Sequence, residues 1–188
     1  MWVVRGGHIA IDLGPRVGRV HGIDVSGRLI EMAEARLAEA ERARAAEGGA
    51  GGGGRDAEGV GLVAARSGNV SFEVGTVEGA ELEAGAWDGV LAFSVLHLVD
   101  DAEATLARFH VLLVPGGRVL AEVPCTEDIG WALRRVIDVM WWVGKAPTVR
   151  LYSQAEWEAK FAAAGFEVEE VRVYNPKSRS RSILARRG

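Results

Sequence analysis

Three kinds of side chain in this sequence carry the chemistry of a reaction site. Asp24 closes the apolar run Arg19 to Asp24 and reads as the last residue of a β-strand. A carboxylate at a strand end is well placed to accept hydrogen bonds from both hydroxyls of a ribose. Equally, with Ser26 it would cap the helix that follows. His97 follows a second apolar run, Trp87 to Phe93. An imidazole is neutral at pH 7 by its ordinary pKa, so His97 suits a general base for an acceptor that must lose a proton; the alternative is packing in the first turn after the strand. His8 has a weaker claim, as have His21, inside a strand, and His110, on a helix. The stretch 131–143, with Trp131, Met140, Trp141 and Trp142, would either line an apolar pocket or be ordinary core, and is too short to span a bilayer. Cys125, after a strand, reads as an inert buried thiol rather than a nucleophile.

Composition bounds what can carry these residues. The chain has 188 residues, 48% hydrophobic and 26% charged, ordinary proportions for one globular domain over residues 1–188. No run approaches 18 apolar residues, and the N-terminus lacks a basic region followed by an apolar one. The expectation is a cytoplasmic chain with no membrane span. A single cysteine excludes an internal disulfide framework and a cysteine-built metal cluster, and no metal site is expected. Net charge is −4, which gives no reason to expect nucleic acid as a partner. The end is different: residues 171–188 hold Arg172, Lys177, Arg179, Arg181, Arg186 and Arg187 and no acid. That basic end suits either an anionic partner or a solvated edge strand with gatekeeper charges. Glycine crowds positions 48–61, so residues 48–68 read as a flexible insertion.

The elements that must position the candidates alternate in type. His8 to Leu13 and Arg19 to Asp24 read as strands, followed by a helix from the N-cap Ser26 to about Ala46. Strands follow at Val70 to Val74 and Trp87 to Phe93, then a helix from Ala102 to about Leu113 that Pro115-Gly116-Gly117 ends, and a strand from Arg118 to Val123. A helix over 129–143, another from the N-cap Ser153 to near Gly165, and strands Glu167 to Tyr174 and Ser180 to Arg186 close the chain. Such alternation implies an α/β layered fold with a largely parallel sheet and a ligand crevice outside the carboxyl ends of its strands.

Four segments in this order resemble the class I S-adenosylmethionine-dependent methyltransferases, in particular the type 11 or ubiquinone-biosynthesis-like small-molecule group. They are Val20 to Ser26, Asn69 to Thr76, Trp87 to Val99 and Leu113 to Leu120; the stretch from Tyr152 to Val168 is similar to that family's last helix and strand. The resemblance implies a Rossmann-like, mostly parallel seven-stranded-type sheet with helices on both faces. It implies S-adenosyl-L-methionine as cofactor, with Asp24 on the ribose, Val25 beside the adenine, Thr76 and Val77 at the adenine amine, and Phe93 and Ser94 flanking the methionine part. The family's first strand ends in a glycine loop, and the matching stretch is Asp12-Leu13-Gly14-Pro15-Arg16-Val17-Gly18, so Asp12, Gly14 and Gly18 are further candidate cofactor residues. Arg16 stands where that loop has its middle glycine, and only five residues separate Gly18 from Asp24, which reads either as a missing first helix with weakened cofactor binding or as an antiparallel hairpin of residues 8–24 around Gly14-Pro15. The expected activity is methyl transfer to a small apolar or amphipathic molecule, with His97 as base. The alternatives are an impaired or inactive fold acting as an interaction module, and a nicotinamide-dependent oxidoreductase; the oligomeric state is open.

Overall fold

The computed structural model describes residues 2–3, 7–48, 68–125, 152–173 and 180–188. They fall into two compact units, Met1–Ala80 and Glu81–Gly188.

In the first unit, strand β1 (Trp2–Val3) is followed by helix α1 (His8–Leu13), a 3-10 turn (Gly14–Arg16), strand β2 (Val20–Asp24), helix α2 (Gly27–Gly48) and strand β3 (Val70–Val74). β2 pairs in parallel with β1, Trp2 opposite His21, and with β3 from Val20 opposite Val70 to Asp24 opposite Val74. The stretch 8–13 is therefore not a strand and the first helix is not missing: α1 is the crossover between β1 and β2. Ile9, Ile11 and Leu13 alternate like a strand, but the buried residues here are Gly7, Ala10, Ile11 and Gly14, the i, i+3, i+4, i+7 spacing of one helical face. Gly7 caps α1 at φ +73°, and a Cβ there would stand 2.6 Å from the Ala33 Cβ on α2. Only glycine fits so close an approach in that conformation. One of the two grounds for expecting weakened cofactor binding, an absent helix, is thus gone.

In the second unit, β4 (Trp87–Phe93), α3 (Ala102–Leu112), β5 (Leu113–Pro124), α4 (Gln154–Ala163), β6 (Phe166–Arg172) and β7 (Ser180–Arg187) follow in order. β4 and β5 are parallel, and β7 lies antiparallel between β5 and β6. Its reversal follows from length, since the seven residues between β6 and β7 are too few for a parallel crossover. The expected mostly parallel seven-stranded-type sheet is accordingly seen, unit by unit, as a three-stranded parallel sheet and a four-stranded mixed one. The core of this unit is Leu96, Leu106, Phe109, Leu112, Trp157, Phe161 and Ile183, all essentially without exposure. Both helices start as their sequences dictate. Asp101 accepts the amides of Glu103 and Ala104, and Ser153 with Glu156 forms a reciprocal capping box. α3 stops at Leu112, and β5 already begins at Leu113 and runs through Pro115-Gly116-Gly117 with a register shift against β4, Gly116 taking φ +78°.

Nearly all of the glycine-rich insertion at 48–68 and the aromatic stretch 131–143 lie outside the described residues.

Candidate functional site

At the carboxyl end of β2, the Asp24 Oδ1 accepts the Ser26 N–H at 2.8 Å, and the Asp24 carbonyl accepts the Gly75 N–H at 3.0 Å. Ser26 in turn caps α2, its carbonyl accepting from Leu29 and Ile30. Asp24 thus holds the turn into the helix with one oxygen, and its Oδ2 has no protein partner among the described residues. Beside it Val25 is 72% exposed and Val74, opposite Asp24, is 54% exposed. Large aliphatic side chains at the ends of two neighbouring strands offer an apolar seat next to an oriented carboxylate. Thr76 opens the turn after β3: its Oγ1 accepts the Gly79 N–H at 3.2 Å and its carbonyl the Ala80 N–H at 3.0 Å. Val77, buried, anchors that turn. The structure therefore brings Asp24, Val25, Thr76 and Val77 together at one end of one sheet.

Asp12, Gly14 and Gly18 are not there. Asp12 is exposed on α1, Gly14 opens the 3-10 turn and Gly18 is exposed in the approach to β2. Asn69, just before β3, donates its Nδ2 to the carbonyls of Gly14 at 2.7 Å and Val17 at 2.9 Å. That ties the loop to the amino ends of β2 and β3, roughly 13 Å along the strand from Asp24. Gly14 is required by packing instead, since a Cβ would meet the Val70 Cγ2 at 2.7 Å. The strand, glycine and helix order that the family motif demands fits Trp2-Val3, Gly7 and α1. The signal was in the sequence, an apolar Trp2-Val3-Val4 followed by Gly6-Gly7.

At the carboxyl end of β4, Phe93 pairs with Glu122 on β5, and the next residue, Ser94, donates its N–H to the Glu122 carbonyl at 3.1 Å. Ser94 has φ +54°, the one described non-glycine residue in the left-handed region. Such backbone costs about 1–2 kcal/mol and gathers at functional sites. A turn closed by Leu98 N–H to Val95 carbonyl at 2.8 Å follows, with Leu96 fully buried as its anchor. His97 is left half-buried, its Nδ1 sealed from solvent without a hydrogen-bond partner among the described residues. Burial pushes the His97 pKa below its ordinary 6.5, and the negative charge of Glu122 opposes that shift. A histidine so placed is neutral at pH 7. Glu122 was missed, although a lone carboxylate in the apolar run Val119 to Val123 is a readable anomaly. Cys125 is buried and forms an isolated bridge with Tyr152.

Two arginines of the basic end, Arg172 and Arg186, are paired with acids. Arg172 meets Glu170, Arg186 meets Glu167 and Glu169, and Arg118 of β5 meets Glu169 at 2.8 Å. β7 is an interior strand, and acids of β6 answer its charges. Lys177 and Arg179 lie outside the described residues. No helix among the described residues is long and apolar enough to cross a membrane, and no cluster of three metal-ligating side chains occurs among them.

A methyltransferase-domain family matches residues 5–171 of this chain. The chain belongs to that family, in its class I, S-adenosylmethionine-dependent branch. Its fold is similar to that of a SAM-dependent methyltransferase from Methanosarcina mazei, with a TM-score of 0.70 and 15% identity over 99% of this chain and 90% of that one. It is also similar to magnesium protoporphyrin IX methyltransferase from Synechocystis with SAM bound, with a TM-score of 0.63 and 14% identity over 100% of this chain and 68% of that one. In sequence it is 34% identical over 88 residues to squalestatin hexaketide synthase of a Phoma species, covering 45% of this chain. The chain spans only 3% of the length of that curated relative.

Proposed function

We propose that this chain transfers a methyl group from S-adenosylmethionine to a small, apolar or amphipathic acceptor. The observation that carries the reading is the end of β2: a carboxylate with one oxygen fixed by Ser26 and the other without a protein partner, beside the exposed Val25 and the Thr76 turn. That donor set fits a nucleoside. Asp24 would accept both ribose hydroxyls, Val25 would cover one face of the purine, and the Thr76 hydroxyl would reach the purine amine. In the second unit, Phe93 and Ser94, which the resemblance assigns to the methionine part, are half-buried at the end of β4.

When bound, the cofactor supplies an electrophilic methyl group on a positively charged sulfur, so alignment and exclusion of water contribute most of the catalysis. His97, kept neutral by burial, takes the acceptor's proton on Nε2, since Nδ1 is closed to solvent. Glu122 then steadies the imidazolium that forms. The polyketide synthase among the relatives suggests a polyketide-like acyl chain as the acceptor class.

Calorimetric titration of the full chain with S-adenosylhomocysteine tests the reading. Micromolar binding is expected, and binding weaker than millimolar overturns it along with the methyl-transfer assignment. Methyl transfer from labelled cofactor to short acyl thioesters, compared with small apolar alcohols and amines, then identifies the acceptor class.

A further inference from the structure

A second group of reactive side chains lies in the first unit, on the face of β2 and β3 that α1 does not cover. Side chains alternate along a strand, so His21, Ser71 and Glu73 share one face. The other face carries Val70 and Phe72, which lie against Gly14 and Gly7 at the two ends of α1. The His21 Nδ1 stands 2.9 Å from the Ser71 Oγ, and its Nε2 stands 3.1 Å from the Glu73 Oε2. The His21 side chain is 15% exposed, while Ser71 is open to solvent.

The hydrogen bonds decide what this arrangement can do. With Nε2–H donating to the Glu73 carboxylate, Nδ1 carries the lone pair and accepts the Ser71 O–H. That is a nucleophile, its base and a group that fixes the base's tautomer, in hydrogen-bond reach of one another. A backbone donor stands next to them. The Val20 N–H bonds to the Asn69 carbonyl and the Gly75 N–H to the Asp24 carbonyl, so the odd-numbered residues of β3 turn their backbone groups toward β2. The N–H of Phe72, directly after Ser71, therefore points to the opposite side of β3, where no described strand pairs with it. A backbone N–H after the nucleophile is one half of an oxyanion hole.

We propose that Ser71, His21 and Glu73 form an acyl-transfer site for activated carboxylic esters, separate from the methyl-transfer residues. The Ser71 Oγ attacks the ester carbonyl while His21 Nδ1 takes its proton. The bond from the acyl carbon to the leaving alkoxide breaks, and that alkoxide leaves as the alcohol with the proton from His21. Water, deprotonated by the same nitrogen, then releases the acid and restores the serine hydroxyl.

The full chain incubated with p-nitrophenyl acetate provides the test. The expected result is a burst of p-nitrophenolate with an acetyl group on Ser71 in peptide mass mapping. Ser71→Ala should give neither while binding S-adenosylhomocysteine as the parent does, which shows the unit folded. Ser71→Cys should restore the burst, and His21→Gln should slow it by about 10²–10⁴-fold. The absence of an adduct from the parent chain, acetylation at other residues only, or an unchanged burst from Ser71→Ala overturns the proposal and leaves the three as cross-strand polar pairs.

Discussion

The ends of β2 and β4 prepare polar groups in opposite ways. At β2, Asp24 is half-buried and held by a single backbone hydrogen bond to one oxygen, and the apolar surface beside it, Val25 and Val74, is exposed. At β4, Ser94 turns through a strained backbone, Leu96 is driven fully into the core, and His97 is pulled half into the protein with one nitrogen unsatisfied. The first end spends little stability and waits for a ligand to cover it. The second spends strain and desolvation to hold an imidazole in its neutral form. On the proposed function the carboxylate with an open oxygen contributes binding and the unsatisfied, neutral imidazole contributes chemistry, so substitutions at the two ends should separate cleanly.

The largest effect is expected from His97→Ala, which should lower kcat by about 10²–10⁴-fold with S-adenosylhomocysteine affinity unchanged in calorimetry. Its pH dependence sharpens the point. Burial lowers the His97 pKa, so the acid limb of kcat should lie below pH 6.5, and Glu122→Gln, which removes the opposing charge, should move it lower still. An acid limb at or above 6.5 would remove His97 as the base. Asp24→Ala should act on binding instead. Each hydrogen bond between the ribose and a carboxylate is worth roughly 1.5–3 kcal/mol, so affinity should fall by about one to two orders of magnitude in a folded chain. Unchanged affinity would leave Asp24 as the cap of α2 alone.

The same two regions differ in how readable they were. The end of β4 announced itself, because an apolar strand, a histidine and an Asp101-capped helix stand in order and each boundary has a local cause. The entry to β2 did not. Six residues from His8 to Leu13 satisfy a period of two as well as a period of 3.6, and Gly14 and Gly18 offered a tempting loop. What decides the matter is tertiary: Gly7 and Gly14 lie on one helical face because Ala33 and Val70 lie against it. A two-residue strand, Trp2–Val3, carries no periodicity at all, so the true first strand had no pattern to betray it. That Asp24, Val25, Thr76 and Val77 stand at neighbouring strand ends was legible, since each closes or follows a well-marked strand. Asp12, Gly14 and Gly18 were misplaced because they were attached to a strand that is a helix.

The two glycines give the next test, on stability. Gly7→Val puts a Cβ 2.6 Å from Ala33 in a backbone conformation side chains avoid, and should cost about 1–3 kcal/mol in chemical denaturation. Gly18→Ala meets nothing within 4 Å and should stay within about 0.5 kcal/mol of the parent. Equal effects would mean that the 14–18 loop carries a structural demand like that of α1.

The smallest effect should come from the charged ladder on the second unit. Glu169 joins Arg118 at 2.8 Å and Arg186 at 3.4 Å, and its carboxyl is held below the usual 4.5 chiefly by the hydrogen bond from Arg118. A lowered carboxyl pKa in the folded state means that its contribution is present above 4.5 and is lost as pH falls through the folded value. Yet the pair is exposed, so water and salt screen it, and ordering two long side chains offsets most of the attraction. Glu169→Gln should therefore leave the melting temperature at neutral pH indistinguishable from the parent in 0.15 M salt. Any small loss should appear only at low ionic strength and vanish as pH falls through the lowered Glu169 pKa. A large loss at neutral pH would show that the ladder, and not the core around Trp157 and Phe109, sets the stability of this unit.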